Sequence, residues 1–253
     1  MQEGYVTSTK SNGLNTIEFY HPAQNSLPGY LLKALKDQIE SAGSDPESKI
    51  ILLKSAGDRT FCAGASFNEL IAIDDMQKGK QFFMGFAQVI NAIRKCNKIV
   101  IGRIHGKAVG GGVGLASACD YCVATSKASA RLSELAVGIG PFVIGPAVER
   151  KIGIAAFSQM ALYASTWQTA SWCREKGLYY DVFDRIEDMD SFLHDFIHEL
   201  LSRNPDALLQ LKSVFWKGTE NWDSLLESRA ETSGRLILSE FSKNAIKSFL
   251  NDK

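Results

Sequence analysis

Two glycine-containing loops and one glutamate are the residues of this chain whose types and spacing could carry out chemistry. The first loop, residues 61–66, reads FCAGAS, and the second, residues 105–112, reads HGKAVGGG. Glu134 follows in the segment LSELAVG at residues 132–138. Small residues let a backbone approach a ligand closely, and backbone N–H groups can stabilise an oxyanion while a carboxylate moves a proton. The pattern therefore predicts a proton-transfer site with an oxyanion hole.

Each loop is expected to lead into the N-terminus of a helix, where backbone N–H groups have no intrahelical partner. After the first loop, Ser66 is the expected N-cap and Glu69 stands at the capping-box offset, so the Ala65 N–H is a candidate donor to an external oxygen. After the second loop, the Gly111 N–H is the second candidate donor. Each loop alone also fits an ordinary, closely packed turn. The second loop lacks the spacing of a nucleotide-binding loop, which disfavours phosphate binding.

Glu134 lies in a stretch of small and apolar residues. A carboxylate in apolar surroundings has a raised pKa, and this suits proton transfer near neutral pH. The alternative is a surface glutamate, or an ion-pair partner for Arg131 or Arg150. The sequence around Glu134 does not decide between these interpretations.

The elements that must position these residues alternate between strands and helices. Apolar runs predict strands at residues 6–9, 14–19, 50–53, 99–104 and 121–124. Helical periodicity predicts helices at residues 31–39, 77–93, 111–119, 189–201, 205–216 and 222–249, the last of which can contain one break. Such alternation is typical of an α/β core with parallel strands. We expect a core at residues 1–190 and a helical region at residues 191–253.

Composition excludes several classes of function. Lys and Arg together number 28, as do Asp and Glu, so no net charge steers the chain toward nucleic acid or an anionic membrane. No apolar run reaches the length of about 18 residues that a membrane span needs, and the N-terminus does not resemble a secretory signal. The odd number of cysteines, five, predicts reduced thiols and a cytoplasmic location. Residues 119–122 have CxxC spacing, but no second Cys or His pair follows at zinc spacing, so no metal site is expected.

Taken in order, these motifs resemble the crotonase (enoyl-CoA hydratase/isomerase) superfamily. Residues 63–65 and 110–112 resemble its two oxyanion-hole motifs, and residues 132–138 resemble the segment that bears its second catalytic glutamate. Three further segments are similar to the family's CoA-binding turn, its strand after the core and its C-terminal helix, at residues 21–27, 177–182 and 242–249.

The resemblance implies a crotonase-like spiral of ββα units with a helical C-terminal trimerisation region, assembled as a homotrimer or a dimer of trimers. It implies an acyl-CoA substrate whose thioester carbonyl is held by the Ala65 and Gly111 N–H groups beside Glu134. Coenzyme A would then be part of the substrate, and no separate cofactor is expected. The resemblance also implies an aromatic side chain of the C-terminal helix packed on the adenine of CoA. The residues expected to bind the substrate or its CoA are Gln24, Ala63, Ser66, Gly110, Phe249 and Lys253.

One departure from the family bears on the reaction. Hydratases of this family use two glutamates, and the first should stand at the position of Gly114. With Glu134 as the single acid, we expect isomerisation between 3-enoyl and 2-enoyl thioesters. Residues 141–153 are similar to methylglutaconyl-CoA hydratases, which favours hydration instead, with Glu149 or a bound water completing the site. A third possibility is a non-catalytic acyl-CoA-binding protein of the same fold.

Overall fold

The structure is a computed structural model that describes residues 3–251, with the backbone alone described for residues 249–251. The described chain forms two sheets surrounded by helices. The large sheet comprises β1 (Tyr5–Ser11), β2 (Leu14–Tyr20), β3 (Ile50–Ser55), β5 (Ile99–Ile104), β7 (Tyr121–Thr125) and β10 (Asp181–Phe183). The small sheet comprises β4 (Thr60–Cys62), β6 (Lys107–Val109), β8 (Ser129–Arg131) and β9 (Gln168–Thr169).

Ten α-helices and one short 3₁₀ helix lie among these strands in the described residues. They are α1 (Gly29–Ser44), α2 (Phe67–Ile71), α3 (Met76–Lys95), α4 (Gly111–Ala118), the 3₁₀ helix Glu134–Val137, α5 (Gly145–Leu162), α6 (Ala170–Glu175), α7 (Ile186–Leu201), α8 (Pro205–Phe215), α9 (Trp222–Ile237) and α10 (Glu240–Asn251). None of the helices within residues 3–251 combines the length and the apolar character that crossing a membrane requires.

The large sheet is parallel except at its first hairpin. β1 and β2 pair antiparallel around the turn at Asn12 and Gly13, both of which have positive φ, as the Asn-Gly signal predicted. The remaining strands run parallel in the order β2-β3-β5-β7-β10. Their apolar residues are buried on both faces, because the main core covers one face and α7 packs on the other through Met189, Leu193 and Ile197. The predicted α/β core with parallel pairing is confirmed.

The small sheet positions the candidate loops. β4, β6 and β8 lie side by side and run parallel, so their carboxyl ends meet at one edge. The chain leaves that edge at residues 63–65, 110–111 and 132–134, which are the segments singled out by their chemistry. These strands of three residues each were not predicted from the sequence.

The C-terminal helices pack against the rest of the chain. α9 crosses α3 where Gly79 meets Gly234, and a Cβ atom built on Gly79 would lie 2.9 Å from the Gly234 Cα. Two glycines allow this approach, because any larger side chain would push the helices apart. The division expected at residue 190 falls inside α7. The predicted break in the last helix is found between α9 and α10.

Candidate active site

The three loops converge on one small region at the carboxyl edge of the small sheet. A Cβ atom built on Gly64 would lie 2.9 Å from the Val109 carbonyl oxygen and 3.5 Å from the Gly111 nitrogen. A Cβ built on Gly110 would lie 2.8 Å from Glu134 Oε1. The structure thus brings the two glycine loops and the glutamate together, as the sequence predicted.

The first loop turns the Ala65 N–H away from the protein's own acceptors. The Leu27 N–H donates to the Gly64 carbonyl at 2.8 Å, and the Ser66 N–H donates to the Leu27 carbonyl at 3.2 Å. These two bonds bracket Ala65, and in an extended segment the intervening N–H points to the opposite side. Within residues 3–251, the Ala65 N–H donates to no acceptor.

Ser66 and Glu69 form only half of the predicted capping box. The Ser66 hydroxyl accepts a hydrogen bond from the Glu69 N–H at 3.4 Å, so Ser66 is the N-cap of α2. The Glu69 carboxylate does not return to Ser66. It accepts from the Gly29 N–H at 3.2 and 2.9 Å, and so caps α1, whose own N-cap residue Pro28 has no polar side chain. Glu69 therefore ties the first loop to α1.

The second loop depends on glycine for its backbone conformation. Gly110 has φ +51° and ψ −116°, which a residue with a Cβ adopts only with strain. The Gly110 N–H donates to the Arg131 carbonyl at 2.9 Å, and its own carbonyl accepts from the Val113 and Gly114 N–H groups. Gly111 is the first residue of α4, and in the described part of the chain its N–H has no acceptor.

Close packing also requires the other two glycines of the triplet. A Cβ on Gly111 would overlap the Phe86 ring, and a Cβ on Gly112 would overlap the Cys62 carbonyl oxygen. The packing interpretation and the oxyanion interpretation of this loop therefore both hold, because the same close approach that needs glycine also brings the Gly111 N–H to the site.

Glu134 begins the 3₁₀ helix, with part of its surface exposed but with Oε2 buried. Oε2 has no hydrogen-bond partner among the described residues. Burial raises the pKa of Glu134 from 4.5 to about 7, although the backbone N–H groups of Glu134 and Ser133 and the Arg131 charge act to lower it. Neither proposed arginine partner forms an ion pair with it in residues 3–251. Arg150 instead donates to the Phe215 carbonyl at 3.1 Å.

The position of the missing second acid is filled by a hydrophobic side chain. A Cβ atom on Gly114 would lie 2.5 Å from Ile144 Cγ2, and Ile144 is only 4% exposed. Gly114 lies three residues after Gly111 on α4, so a side chain there would share the helix face of the candidate donor. Glu149 is exposed on α5, which does not favour it as a substitute acid. The sequence carried no signal for Ile144.

The predicted CoA-binding turn at residues 21–27 is held against the first loop. Gln24 has φ +56°, its Oε1 accepts from the Thr60 hydroxyl at 2.9 Å, and its carbonyl accepts from the Ala63 N–H at 3.2 Å. The Asn25 side chain donates to the Ala56 and Thr60 carbonyls. Gln24 and Ala63 are thus neighbours, and their contacts with a thioester stay predictions.

Two further predicted contacts cannot be placed. Lys253 and the Phe249 side chain fall outside the described part of the chain. Among residues 3–251, no three His, Cys, Asp or Glu side chains cluster as metal ligands would.

The sequence of this chain is similar to those of known proteins that share one family. A family model described as enoyl-CoA hydratase/isomerase matches residues 9–251. A short-chain-enoyl-CoA hydratase of Clostridium acetobutylicum is 26% identical over 233 residues, which are 91% of this chain and 88% of that protein. The methylglutaconyl-CoA hydratase of Rattus norvegicus is 30% identical over 78% of this chain and 63% of its own length.

Other relatives match over a shorter part or by fold alone. Human mitochondrial 3-hydroxyisobutyryl-CoA hydrolase is 33% identical over 51% of this chain, and this chain spans only 35% of its length. The crystal structure of an enoyl-CoA hydratase from Bacillus halodurans superposes with a TM-score of 0.89 at 20% identity, over 96% of this chain and 99% of that one. This similarity confirms the predicted spiral fold with a helical C-terminal region.

Proposed function

This chain belongs to the enoyl-CoA hydratase/isomerase family, the crotonase superfamily, and we propose on that premise that it is an enzyme acting on an enoyl-CoA thioester. The observation that carries the proposal is the position of Glu134. Its carboxylate lies against Gly110, the residue before the candidate donor Gly111, and Gly64, the residue before Ala65, approaches Gly111 from the first loop. Oε2 has no partner within the described residues.

In the proposed mechanism, the thioester carbonyl oxygen accepts hydrogen bonds from the Ala65 and Gly111 N–H groups. Removal of one such donor typically costs about 3 kcal/mol of transition-state stabilisation. Both bonds strengthen as the carbonyl becomes an enolate, and this makes the proton on the adjacent carbon removable by a carboxylate. Glu134, with a pKa of about 7, can take that proton at neutral pH and return it to another carbon.

Within the family we favour isomerisation between 3-enoyl and 2-enoyl thioesters. Glu134 takes a proton from the α carbon, the electron pair delocalises over the dienolate, and the same proton is returned at the γ carbon. This reaction needs one acid–base group and no water. The hydrophobic contact between Gly114 and Ile144, where a second acid would stand, supports this choice.

Hydration is the alternative, and two observations favour it. The relatives with the longest matches reported above are hydratases, and residues 141–153 resemble methylglutaconyl-CoA hydratases. A water held by Glu134 would then have to serve without a second carboxylate. A non-catalytic acyl-CoA-binding protein is a further alternative, supported by Gly114 and by the absence of basic side chains at Ala23 and Gln24.

We also propose that the chain assembles as a homotrimer or a dimer of trimers in the cytoplasm. The support is the resemblance to the family, and Leu162 at the end of α5 and Val214 on α8, which are 76% and 68% exposed, are apolar residues that an assembly could cover. All five cysteines are buried and unbonded, as in a reducing compartment.

The test is incubation with 3-enoyl-CoA, 2-enoyl-CoA and 3-methylglutaconyl-CoA, with products identified by mass and by double-bond position. We expect a shifted double bond without a gain of water. Glu134→Gln should reduce turnover roughly a hundredfold or more, with acyl-CoA binding retained. Formation of a 3-hydroxyacyl product at a comparable rate would select the hydratase alternative. Near-normal turnover of the Gln variant would remove Glu134 from the mechanism.

A further inference from the structure

Two cationic side chains share one tryptophan beside the candidate active site. The Lys107 ammonium lies 5.1 Å from the centre of the Trp167 ring, and the Arg131 guanidinium carbon lies 4.6 Å from it. Nothing in the sequence motifs singled out this group. Its members come from three strands or their flanks, and only the fold brings them together.

The pairing of the small sheet explains why they meet. Val109 pairs with Arg131, and Lys107 stands two residues before Val109, so Lys107 and Arg131 project from the same face. Ala108 and Ala130, on the opposite face, are fully buried in the core. Trp167 immediately precedes β9, which pairs antiparallel with β8 and so brings the indole opposite Arg131.

The Arg131 charge acts on Glu134, whose pKa it lowers, but the two side chains form no direct ion pair in the described residues. Within residues 3–251, no carboxylate forms an ion pair with Lys107 or Arg131. Arg131 Nε is buried and has no hydrogen-bond partner in the same residues. A buried, unpaired guanidinium N–H is costly, and two cations near one ring repel each other. An anionic oxygen group between them would satisfy the N–H and offset part of the positive charge.

The chemistry and position of this group indicate what the anion is. A guanidinium presents its N–H groups as a fork that matches a carboxylate or a phosphate, and the indole offers an apolar wall for an adjoining carbon chain. The Arg131 carbonyl holds the Gly110 N–H, and Gly110 touches Glu134. Arg131 and Glu134 are three residues apart, so their Cα atoms are separated by at most about 10 Å.

The position favours the acyl group over coenzyme A. The small sheet has the strand order β4-β6-β8-β9. The turn at residues 21–27, where CoA is expected, is bonded to the β4 side, whereas Arg131 lies on β8, two strands away. Adjacent strands are about 4.8 Å apart, so a phosphate bound near that turn would be about 10 Å from the β8 backbone.

We propose that Arg131 and Lys107, stacked on Trp167, bind a carboxylate at the distal end of the acyl group, so that the substrate is the CoA monothioester of an unsaturated dicarboxylic acid. The inference rests on the proposed function, because it takes the Glu134 region as the thioester site. It adds a substrate class and three residues that determine it.

The first experiment measures binding without turnover. Glutaryl-CoA and pentanoyl-CoA have acyl chains of equal length that differ in the terminal carboxylate, and neither has a double bond to move. We expect the wild-type chain to bind glutaryl-CoA at least roughly tenfold more tightly in calorimetric titration, as a charged hydrogen bond allows. Equal affinity for the two would overturn the proposal. Because these ligands do not react, the result stands even if no enoyl-CoA is converted.

Variants assign the preference to the cations. Arg131→Met should bring the affinity ratio close to one, Lys107→Met should lower it by a smaller factor because Lys107 is exposed, and Arg131→Lys should keep part of it. Lys127→Met, an exposed lysine in the preceding turn, is the charge-matched control and should leave the ratio unchanged. A ratio that persists in Arg131→Met would overturn the proposal. If that variant does not fold, Lys107→Met and Arg131→Lys carry the test.

A second comparison separates the two sources of an anion. The same variants are titrated with CoA and 3′-dephospho-CoA thioesters of one acyl group. If Arg131→Met removes a preference for CoA over 3′-dephospho-CoA, the anion is a phosphate and the acyl assignment is overturned.

A third experiment measures turnover and compares kcat/KM for glutaconyl-CoA and 2-pentenoyl-CoA. A change in the pKa of Glu134 affects both substrates and therefore cancels in the ratio of the two values. That ratio should fall roughly tenfold or more in Arg131→Met.

Discussion

Glu134→Gln should make the folded chain more stable above pH 7 while it removes activity. Burial raises the pKa of Glu134 from 4.5 to about 7. A carboxyl group with a higher pKa in the folded state contributes stability that is fully present below pH 4.5 and is lost as the pH rises through 7. At about 1.36 kcal/mol per pKa unit, the difference between the two pKa values corresponds to a loss of about 3 kcal/mol in the free energy of unfolding. Partial exposure of Glu134 screens the charge, so we expect about 2 kcal/mol.

The measurement is urea unfolding of wild type and Glu134→Gln at several pH values between about 5 and 8. The difference in the free energy of unfolding should be small near pH 5 and should grow to about 2 kcal/mol in favour of the variant near pH 8, with equal m values. Glu149→Gln, an exposed glutamate on α5, is the matched control and should show no such growth. A pH-independent difference, or a variant less stable than wild type at pH 8, would refute the buried position of the carboxylate.

Three other substitutions test separate parts of the structure. Gly111→Pro deletes the candidate donor, so it should lower turnover by roughly a hundredfold or more; activity within a few-fold of wild type would show that the loop serves packing alone. Gly114→Glu should destabilise the chain by about 1–3 kcal/mol because it overlaps Ile144, and only together with Ile144→Ala should it add hydration, measured as 3-hydroxyacyl-CoA formed per double bond shifted. Lys212→Met should cost about 3–5 kcal/mol in urea unfolding, because it leaves Asp120, 2.9 Å away, as an uncompensated buried charge; a loss below about 1 kcal/mol would contradict this.

The chemistry of the site was predictable because it depends on glycine and on one acid. A backbone N–H donor needs no particular side chain, but no side chain may block the ligand's approach to it. A run of glycines in the sequence indicates such an open backbone directly. The small sheet was not predictable, although it positions all three loops. Its parallel strands read TFC, KAV and SAR, and three residues are too few to show an alternation of apolar and polar positions.

Contacts between residues far apart in the sequence were also beyond prediction. Ser66 and Glu69 have the spacing of a capping box, but Glu69 caps the helix that begins at Gly29, because Pro28 gives that helix no cap of its own. Ile144 likewise fills the space beside Gly114 from a loop thirty residues later. Local patterns specify which groups need partners, and tertiary packing decides which partners they find.

The triple glycine shows that a role in packing and a role in catalysis can belong to the same motif. At each of the three glycines, the position that a Cβ atom would occupy faces a different neighbour. These neighbours are the Glu134 carboxylate at Gly110, the Phe86 ring at Gly111 and the Cys62 carbonyl at Gly112. Packing fixes the second and third contacts, and this rigidity holds the Gly111 N–H and the Glu134 carboxylate in place relative to each other. An oxyanion hole acts through donors that are oriented before the substrate arrives. The close packing that could have explained the glycines without function is therefore what would make the Gly111 N–H an effective donor.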